Sequence, residues 1–305
     1  KNKTRISLKL DATSYTSKFL NDLKSGLLEK LICGTSEELK AILYKVYDEN
    51  QTRFTKLNVS KLRKVYPEKR LGTFTYLDDF HAITYDIFVT RLYESELNKT
   101  EFVKKLDLKI CPYCGINFIP VLRKGNYNIK PEIDHFFPKS DFPILAFSFY
   151  NLIPCCHDCN HKFLKGDNPP INMDNNELYL MNPYKFETEK LRFEIGSKNY
   201  NYFNEEDYWV DLKCDGNFNK GYNEYLGLTI RYSVHKYIIK DLLVLYLGYN
   251  KDSMDFYNGL NIPDDFRDLY IKTLFGYQSS ENDGLVPLAK FKRDIYSFIN
   301  QLLNS

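Results

Sequence analysis

Residues 131–167 read PEIDHFFPKSDFPILAFSFYNLIPCCHDCNHKFLKGD, and this stretch decides how the rest of the chain is interpreted. It is dense in Cys, His, Pro and Asn, unlike the segments on either side. One C-x-x-C pair, Cys156 and Cys159, lies near its end, and another, Cys111 and Cys114, precedes it. Four thiolates in two such turns match the ligand set of a structural zinc ion. The spacing therefore predicts a tetrahedral zinc site with no open position.

Zinc binding at these cysteines would close the long segment between the two pairs. Closing this loop of about 41 residues costs on the order of 3 kcal/mol, whereas a structural zinc site supplies roughly 10–16 kcal/mol. The free energy of zinc binding is therefore expected to exceed the entropic cost of closing the loop. Cys155 is an alternative third ligand, but it would give a C-x-x-x-C turn, and the tighter turn favours Cys156.

The overall composition is that of a soluble globular protein. The chain has 305 residues, 43% of them hydrophobic and 27% charged, and a net charge of only +2. Any nucleic-acid surface must therefore be a local patch. The most basic stretch, Arg53 to Arg70, is interpreted either as a solvated helix face or as a phosphate contact. Free cysteine pairs favour a reducing compartment, so we expect a cytoplasmic protein without membrane association.

Hydrophobic periodicity predicts three segments along the chain. Residues 1–109 contain leucines at helical spacing, where Gly34 is expected to end one helix and Ser36 to cap the next. Residues 110–168 form the predicted metal-binding core. Residues 169–305 form a mixed region, with strands first and a helix at the end.

Two kinds of apolar pattern support the assignment of the third segment. Apolar and polar residues alternate at 191–195 and at 210–214, which predicts two strands. An apolar stripe from Leu288 to Leu302 has the spacing of a helix. The sequence therefore predicts an α+β fold, with mainly helical flanks around a small zinc-stabilised core and a few extra strands in the C-terminal part.

The segment between the cysteine pairs carries groups suited to phosphodiester hydrolysis. His135 offers a base that is neutral at cellular pH, and Asp134 offers a hard oxygen ligand for magnesium. Neighbouring strand residues point to opposite faces, so the two need a strand end or a bulge to serve one site. We expect a β-hairpin turning at Gly125 to end at this pair, and a short helix from Asn160 to Lys165 to follow the second pair.

In this zone the sequence resembles the HNH, or His-Me finger (ββα-metal), endonucleases. The matching motifs are C-x-x-C, D-H-x-x-P from Asp134, N-L-I-P from Asn151, and C-x-x-C-N-x-x-x-x-x-K, which ends at Lys165. They stand in the family's order over about a fifth of the chain. The resemblance implies a ββα-metal nuclease core carrying the zinc knuckles.

The resemblance also implies a role for each matching residue. His135 would be the general base, and Asn151 would hold the loop that orients it. Asp134 and Asn160 would bind one catalytic magnesium or manganese ion, with His161 as the alternative to Asn160. Nucleic-acid contacts would come from lysines after the last cysteine and from the basic stretch: Lys162, Lys165, Lys61, Arg63 and Lys64.

The motif wording is further similar to HNH nucleases of bacterial anti-phage defence, including the Septu-type effectors. Those effectors work beside an ATPase, so the resemblance implies an ATPase subunit as a partner that docks on the helical flanks. It also implies double-stranded DNA as the substrate. Cutting both strands with one site per chain favours a homodimer or a partner complex.

Other enzyme classes lack their motifs in this sequence. His135 is followed by two phenylalanines, so the H-x-E of zinc deaminases is missing. H-E-x-x-H and a glycine-rich phosphate loop are also missing, which argues against a metalloprotease and an ATPase. The remaining alternative is a catalytically inactive, zinc-stabilised module that binds nucleic acid or protein. The intact set of Asp134, His135, Asn151 and Asn160 argues against it.

Overall fold

The structure is a computed structural model that describes residues 15–48, 83–125, 127–172, 177–200, 202–248 and 285–304. Over these residues it combines helices with three two-stranded sheets, which confirms the α+β class at that level. Lys61, Arg63 and Lys64 lie outside the described residues, together with the rest of the basic stretch. Within the described ranges, no helix has both the length and the apolar character needed to cross a bilayer.

The secondary-structure elements are short. The α-helices are α1 (Tyr15–Asp22), α2 (Leu28–Cys33), α3 (Ser36–Asp48), α4 (Lys99–Leu106), α5 (His157–Asn160), α6 (Leu228–Ser233), α7 (Tyr237–Gly248) and α8 (Ala289–Asn304). Stretches of π-helix occupy Leu23–Leu27, Tyr85–Glu96 and Lys220–Tyr225. The strands are β1 (Leu122–Lys124), β2 (Tyr127–Ile129), β3 (Glu132–His135), β4 (Leu152–Cys155), β5 (Leu191–Ser197) and β6 (Tyr208–Cys214).

The chain divides into two compact units, and each is built from two separate stretches of sequence. Unit 1 comprises Lys1–Phe102 and Ile133–Ile153, and unit 2 comprises Val103–Glu132 and Pro154–Ser305. The boundaries fall inside β3 and β4, which pair with each other. The three segments expected from the sequence stay a prediction.

The first leucine-rich stretch of unit 1 is kinked. Between α1 and α2, Ser25 and Gly26 leave the helical conformation, and Gly26 adopts a φ of 111°. This conformation is accessible to glycine because it has no β-carbon. Gly34 ends α2 as expected, and its N–H donates to the Lys30 carbonyl at 2.9 Å.

Helix α3 begins with a capping box, but the cap is not the residue expected. Thr35 Oγ1 accepts from the Glu38 N–H at 3.4 Å, and Glu38 Oε2 accepts from the Thr35 N–H at 2.7 Å. Ser36, predicted as the cap, is instead the first helical residue. The pKa of Glu38 is lowered, with the Thr35 N–H as the main cause. The deciding signal was the T-x-x-E spacing, which a serine beside the threonine obscures.

Strands β5 and β6 of unit 2 confirm the two alternating patterns. They pair antiparallel, with Phe193 opposite Leu212 and Ile195 opposite Val210. The inward-facing residues of both strands are buried. Phe193 packs edge to face on Phe291 of α8, with ring centroids 5.1 Å apart. The predicted apolar stripe thus covers one face of the sheet through buried side chains: Phe291, Ile295 and Ile299.

The hairpin between the cysteine pairs is shorter than expected. Strands β1 and β2 pair antiparallel and turn at Gly125, whose φ is 56°. The hairpin does not extend to Asp134 and His135. Those two residues end β3, which pairs with β4 in a separate sheet. The break at Pro131 explains the change, because proline lacks the N–H that a continuing ladder needs.

Candidate functional site

The four cysteines of the two C-x-x-C pairs lie together in unit 2. The Sγ atoms of Cys111, Cys114, Cys156 and Cys159 lie within 4.8 Å of one another, and all four residues are buried. Tetrahedral zinc with Zn–S bonds of about 2.3 Å holds its sulfurs roughly 3.8 Å apart. Cys114 Sγ and Cys156 Sγ are 4.0 Å apart, so a small contraction fits the ion. Cys155 ends β4 and is not part of this cluster.

The first knuckle depends on a glycine. The Gly115 N–H donates to the Cys111 carbonyl at 2.8 Å and closes the turn. Gly115 has a φ of +64°, and a β-carbon there would lie 2.9 Å from the Tyr232 hydroxyl. The Ile116 N–H points at Cys114 Sγ from 3.4 Å, as expected for a sulfur that carries negative charge. Backbone conformation and hydrogen bonding therefore both prepare this turn for a metal.

The thiols of the cluster are strongly coupled to one another. Burial raises the pKa of Cys111 well above its ordinary value. Hydrogen bonding with Cys111 lowers the pKa of Cys114 to about 7, and the same interaction lowers the pKa of Cys156. A divalent cation would replace the protons that these sulfurs share. The donor set and its burial therefore suit zinc held without a water ligand.

Two residues of α6 contact the cluster, and the sequence analysis missed both. Arg231 Nη1 donates to Cys159 Sγ at 3.2 Å. The Tyr232 hydroxyl donates to the Cys114 carbonyl at 2.7 Å. Both contacts join residues far apart in sequence, and no local spacing signals them.

His135 is held in a defined orientation within unit 1. Its Nε2 lies 3.1 Å from the carbonyl oxygen of Ala146. A carbonyl only accepts hydrogen bonds, so Nε2 must carry the proton and Nδ1 the lone pair of the neutral ring. The ring packs edge-on against Tyr93, with centroids 4.4 Å apart and an interplanar angle of 67°. The Ala146 contact therefore favours the tautomer with its proton on Nε2, and the Tyr93 contact defines the plane of the ring.

Asn151 clamps the loop that carries the Ala146 carbonyl. Its Oδ1 accepts from the Phe137 N–H at 2.7 Å. Its Nδ2 donates to the carbonyls of Phe137 and Leu145, at 3.2 and 2.9 Å. Asn151 is only 1% exposed, so these contacts replace those it would make with water. The side chain thus ties both ends of the loop from 136 to 150 together.

Asp134 precedes His135 at the end of β3. It is buried, with 4% of its surface exposed. Since β3 ends at His135, the strand-end condition set by the sequence analysis is met. Asp134, His135 and Asn151 all belong to unit 1.

Asn160 lies in unit 2 and is held by Glu132. Its Nδ2 donates to Glu132 Oε2 at 2.6 Å, and His157 Nδ1 contacts Glu132 Oε1 at 2.6 Å. Because a carboxylate only accepts, this contact fixes which amide atom of Asn160 faces Glu132, and Oδ1 points elsewhere. The hydrogen bond to Glu132 raises the pKa of His157. Sequence reasoning assigned no role to Glu132.

The helix after the second knuckle is shorter than expected. Helix α5 ends at Asn160, and His161 already has the extended φ and ψ of −68° and 145°. The predicted continuation to Lys165 is therefore wrong. Lys162 is exposed, and its Nζ lies 4.9 Å from the centroid of the Phe163 ring. Lys165 is fully buried and contacts the Gly166 carbonyl at 3.4 Å, so of these two lysines only Lys162 has an exposed side chain.

The roles of the cysteine cluster and of the residues around His135 are inferred from their chemistry. No family model, curated protein or solved structure matches the chain.

Proposed function

We propose that this protein is a metal-dependent endonuclease of the HNH type, which hydrolyses phosphodiester bonds of nucleic acid. The observation that carries the proposal is the orientation of His135 by the Ala146 carbonyl, on a loop clamped by Asn151. A general base needs a defined lone pair and a fixed position, and this arrangement supplies both. The sequence resemblance to the HNH family assigns the same residues to these roles.

His135 is the proposed general base, acting through Nδ1. With Nε2–H donating to Ala146, the Nδ1 lone pair takes the proton of the attacking water. The Ala146 carbonyl also stabilises the imidazolium that forms, because it accepts the N–H that then carries more positive charge. Asn151 acts by holding that carbonyl in place.

Asp134 and Asn160 are the proposed protein ligands of magnesium or manganese. When bound, the ion supplies Lewis-acid stabilisation of the scissile phosphate and of the departing oxygen. The Glu132 contact supports Asn160, since it commits Nδ2 and leaves the amide oxygen as the ligand atom. The Nδ1 atom of His161 accepts a hydrogen bond from the Phe163 N–H at 3.4 Å. A metal ion bound at Nε2 would leave the ring proton on Nδ1, which then could not accept this hydrogen bond. This favours Asn160 over His161.

The proposed substrate is double-stranded DNA, with Lys162 as a phosphate contact. The wider resemblance extends the proposal to anti-phage defence beside an ATPase partner and to a homodimer for cutting both strands. The cysteine cluster takes a structural zinc ion in this scheme, separate from the catalytic ion.

The test is cleavage of supercoiled plasmid by the purified protein, with magnesium, with manganese and with EDTA. His135→Ala is expected to lower cleavage by about 10²–10⁴-fold while the protein stays folded and keeps its zinc content. His235→Ala is the matched control, because the described contacts of the His235 side chain are with tyrosine rings and this residue has no proposed role.

Cleavage by His135→Ala at the wild-type rate would contradict the assignment of the base. Single-stranded DNA and RNA are tested in parallel, so that a different nucleic-acid substrate is detected. Failure of the wild-type protein on all three substrates, combined with retained binding to one of them, would favour the inactive binding module.

A further inference from the structure

Helix α6 brings a cation to the buried cysteine cluster. Arg231 Nη1 lies 3.2 Å from Cys159 Sγ, and the Arg231 side chain is only 19% exposed. Its other terminal nitrogen lies 4.0 Å from the Asp158 carboxylate, which is largely exposed. The guanidinium is therefore directed into the cluster, and Asp158 marks the side that faces solvent.

The charge of the occupied site explains why a cation belongs there. Four thiolates around one Zn²⁺ leave a net negative charge of about two. All four cysteines are buried, and burying a charge without compensation is costly. The Arg231 guanidinium, whose Nη1 lies 3.2 Å from Cys159 Sγ, supplies a compensating positive charge at the cluster. The guanidinium and the cluster thus stabilise each other.

Helix α6 is also anchored on its opposite side. Thr229 Oγ1 accepts from the Leu212 N–H of β6 at 3.0 Å, and the Thr229 N–H donates to Asn223 at 3.2 Å. One short helix thus carries a polar contact to the C-terminal sheet and, within three residues, polar contacts to both knuckles. The Thr229 contacts do not involve the cysteines, and they help to hold Arg231 beside the cluster.

We propose that Arg231 is the outer-sphere counter-ion of the zinc site, and that its charge slows the release of zinc from the four cysteines. Mutation of a residue that hydrogen-bonds to a metal ligand typically lowers the metal affinity by about 10–100-fold. The inference concerns the cysteine cluster alone and does not depend on nuclease activity.

The test compares zinc release from zinc-loaded variants of the full chain into an excess of a chromogenic chelator. Arg231→Gln is expected to release zinc about 10–100-fold faster than the wild type. Arg231→Lys keeps the positive charge but loses the planar guanidinium, and its zinc-release rate is expected to lie between those of the wild type and Arg231→Gln. Arg192→Gln is the matched control, because Arg192 is an exposed residue of β5 whose side chain contacts Glu194 at 2.7 Å. It is expected to match the wild type.

A second variant separates charge from loosening of the helix. Tyr232→Phe removes the hydrogen bond to the Cys114 carbonyl but leaves Arg231 in place. If charge is the cause, Tyr232→Phe and Arg231→Lys both release zinc more slowly than Arg231→Gln. Equal acceleration in all three variants would overturn the proposal in favour of simple loosening. Wild-type release from Arg231→Gln would also overturn it. Cobalt substitution checks that each variant still binds through four thiolates.

Discussion

Replacing Asn151 by alanine removes the side chain that ties residues 136–150 together. The change leaves the buried N–H of Phe137 and the carbonyls of Phe137 and Leu145 without their amide partner. Water cannot easily replace it, because Asn151 is 1% exposed. The loop is therefore expected to open more often, and the Ala146 carbonyl to lose its fixed position against His135.

The size of the effect follows from these three hydrogen bonds. Each contributes roughly 0.5–1.5 kcal/mol net, and an orphaned buried N–H costs about 1–3 kcal/mol. The expected loss is therefore about 3 kcal/mol for local opening of the loop. At about 1.4 kcal/mol per tenfold, this corresponds to roughly 100-fold faster hydrogen exchange of the loop amides.

Hydrogen exchange followed by mass spectrometry on peptides from 136–150 measures this directly. Asn199→Ala is the control, because Asn199 makes an exposed hydrogen bond to Asp207 and is expected to leave exchange in the loop unchanged. Asn151→Asp keeps the acceptor for Phe137 but sets an oxygen against the two carbonyls, so exchange should rise there as well. Unchanged exchange of the loop in Asn151→Ala would refute the clamp.

Three further predictions concern the knuckles and a helix cap. Gly115→Ala places a β-carbon at a φ of +64° and against the Tyr232 hydroxyl, so thermal unfolding should show a free energy of unfolding lower by about 1–3 kcal/mol. An unchanged free energy of unfolding would mean that the turn relaxes. Cys156→Ser, like removal of zinc by a chelator, should remove most native circular dichroism of unit 2. Wild-type zinc content in this variant would mean that Cys155 substitutes. Thr35→Ala should cost about 1 kcal/mol on thermal unfolding through loss of the α3 cap, whereas Ser36→Ala should cost less.

Local patterns in the sequence predicted the parts of the fold that local physics determines. The two C-x-x-C pairs predicted the cysteine cluster, because each turn geometry lies within a few residues. Alternation predicted β5 and β6, since each strand buries one face against α8. Gly125 predicted the turn of the first hairpin.

The features that the sequence did not reveal depend on backbone atoms or on distant partners. The orientation of His135 uses the carbonyl of Ala146, and a carbonyl has no sequence signature. Arg231 meets Cys159 across 72 positions, so no local spacing reveals it. The early end of α5 depends on the extended backbone at His161, which a basic, polar stretch did not signal. The assignments of Asp134, Asn151 and Asn160 rest on the family resemblance and stay predictions until activity is measured.

The interleaving of the two units has a consequence for the order of events during synthesis. The chain leaves unit 2 after Glu132 and re-enters it at Pro154, two residues before Cys156. The first knuckle therefore emerges from the ribosome well before its partner cysteines, and the segment from 133 to 153 emerges in between. A zinc ion bound by the four cysteines would then close the loop that contains this segment. All of unit 1 has therefore been synthesised before the four cysteines can bind one metal ion together. A fragment of residues 110–168 would contain all four cysteines but would lack most of unit 1.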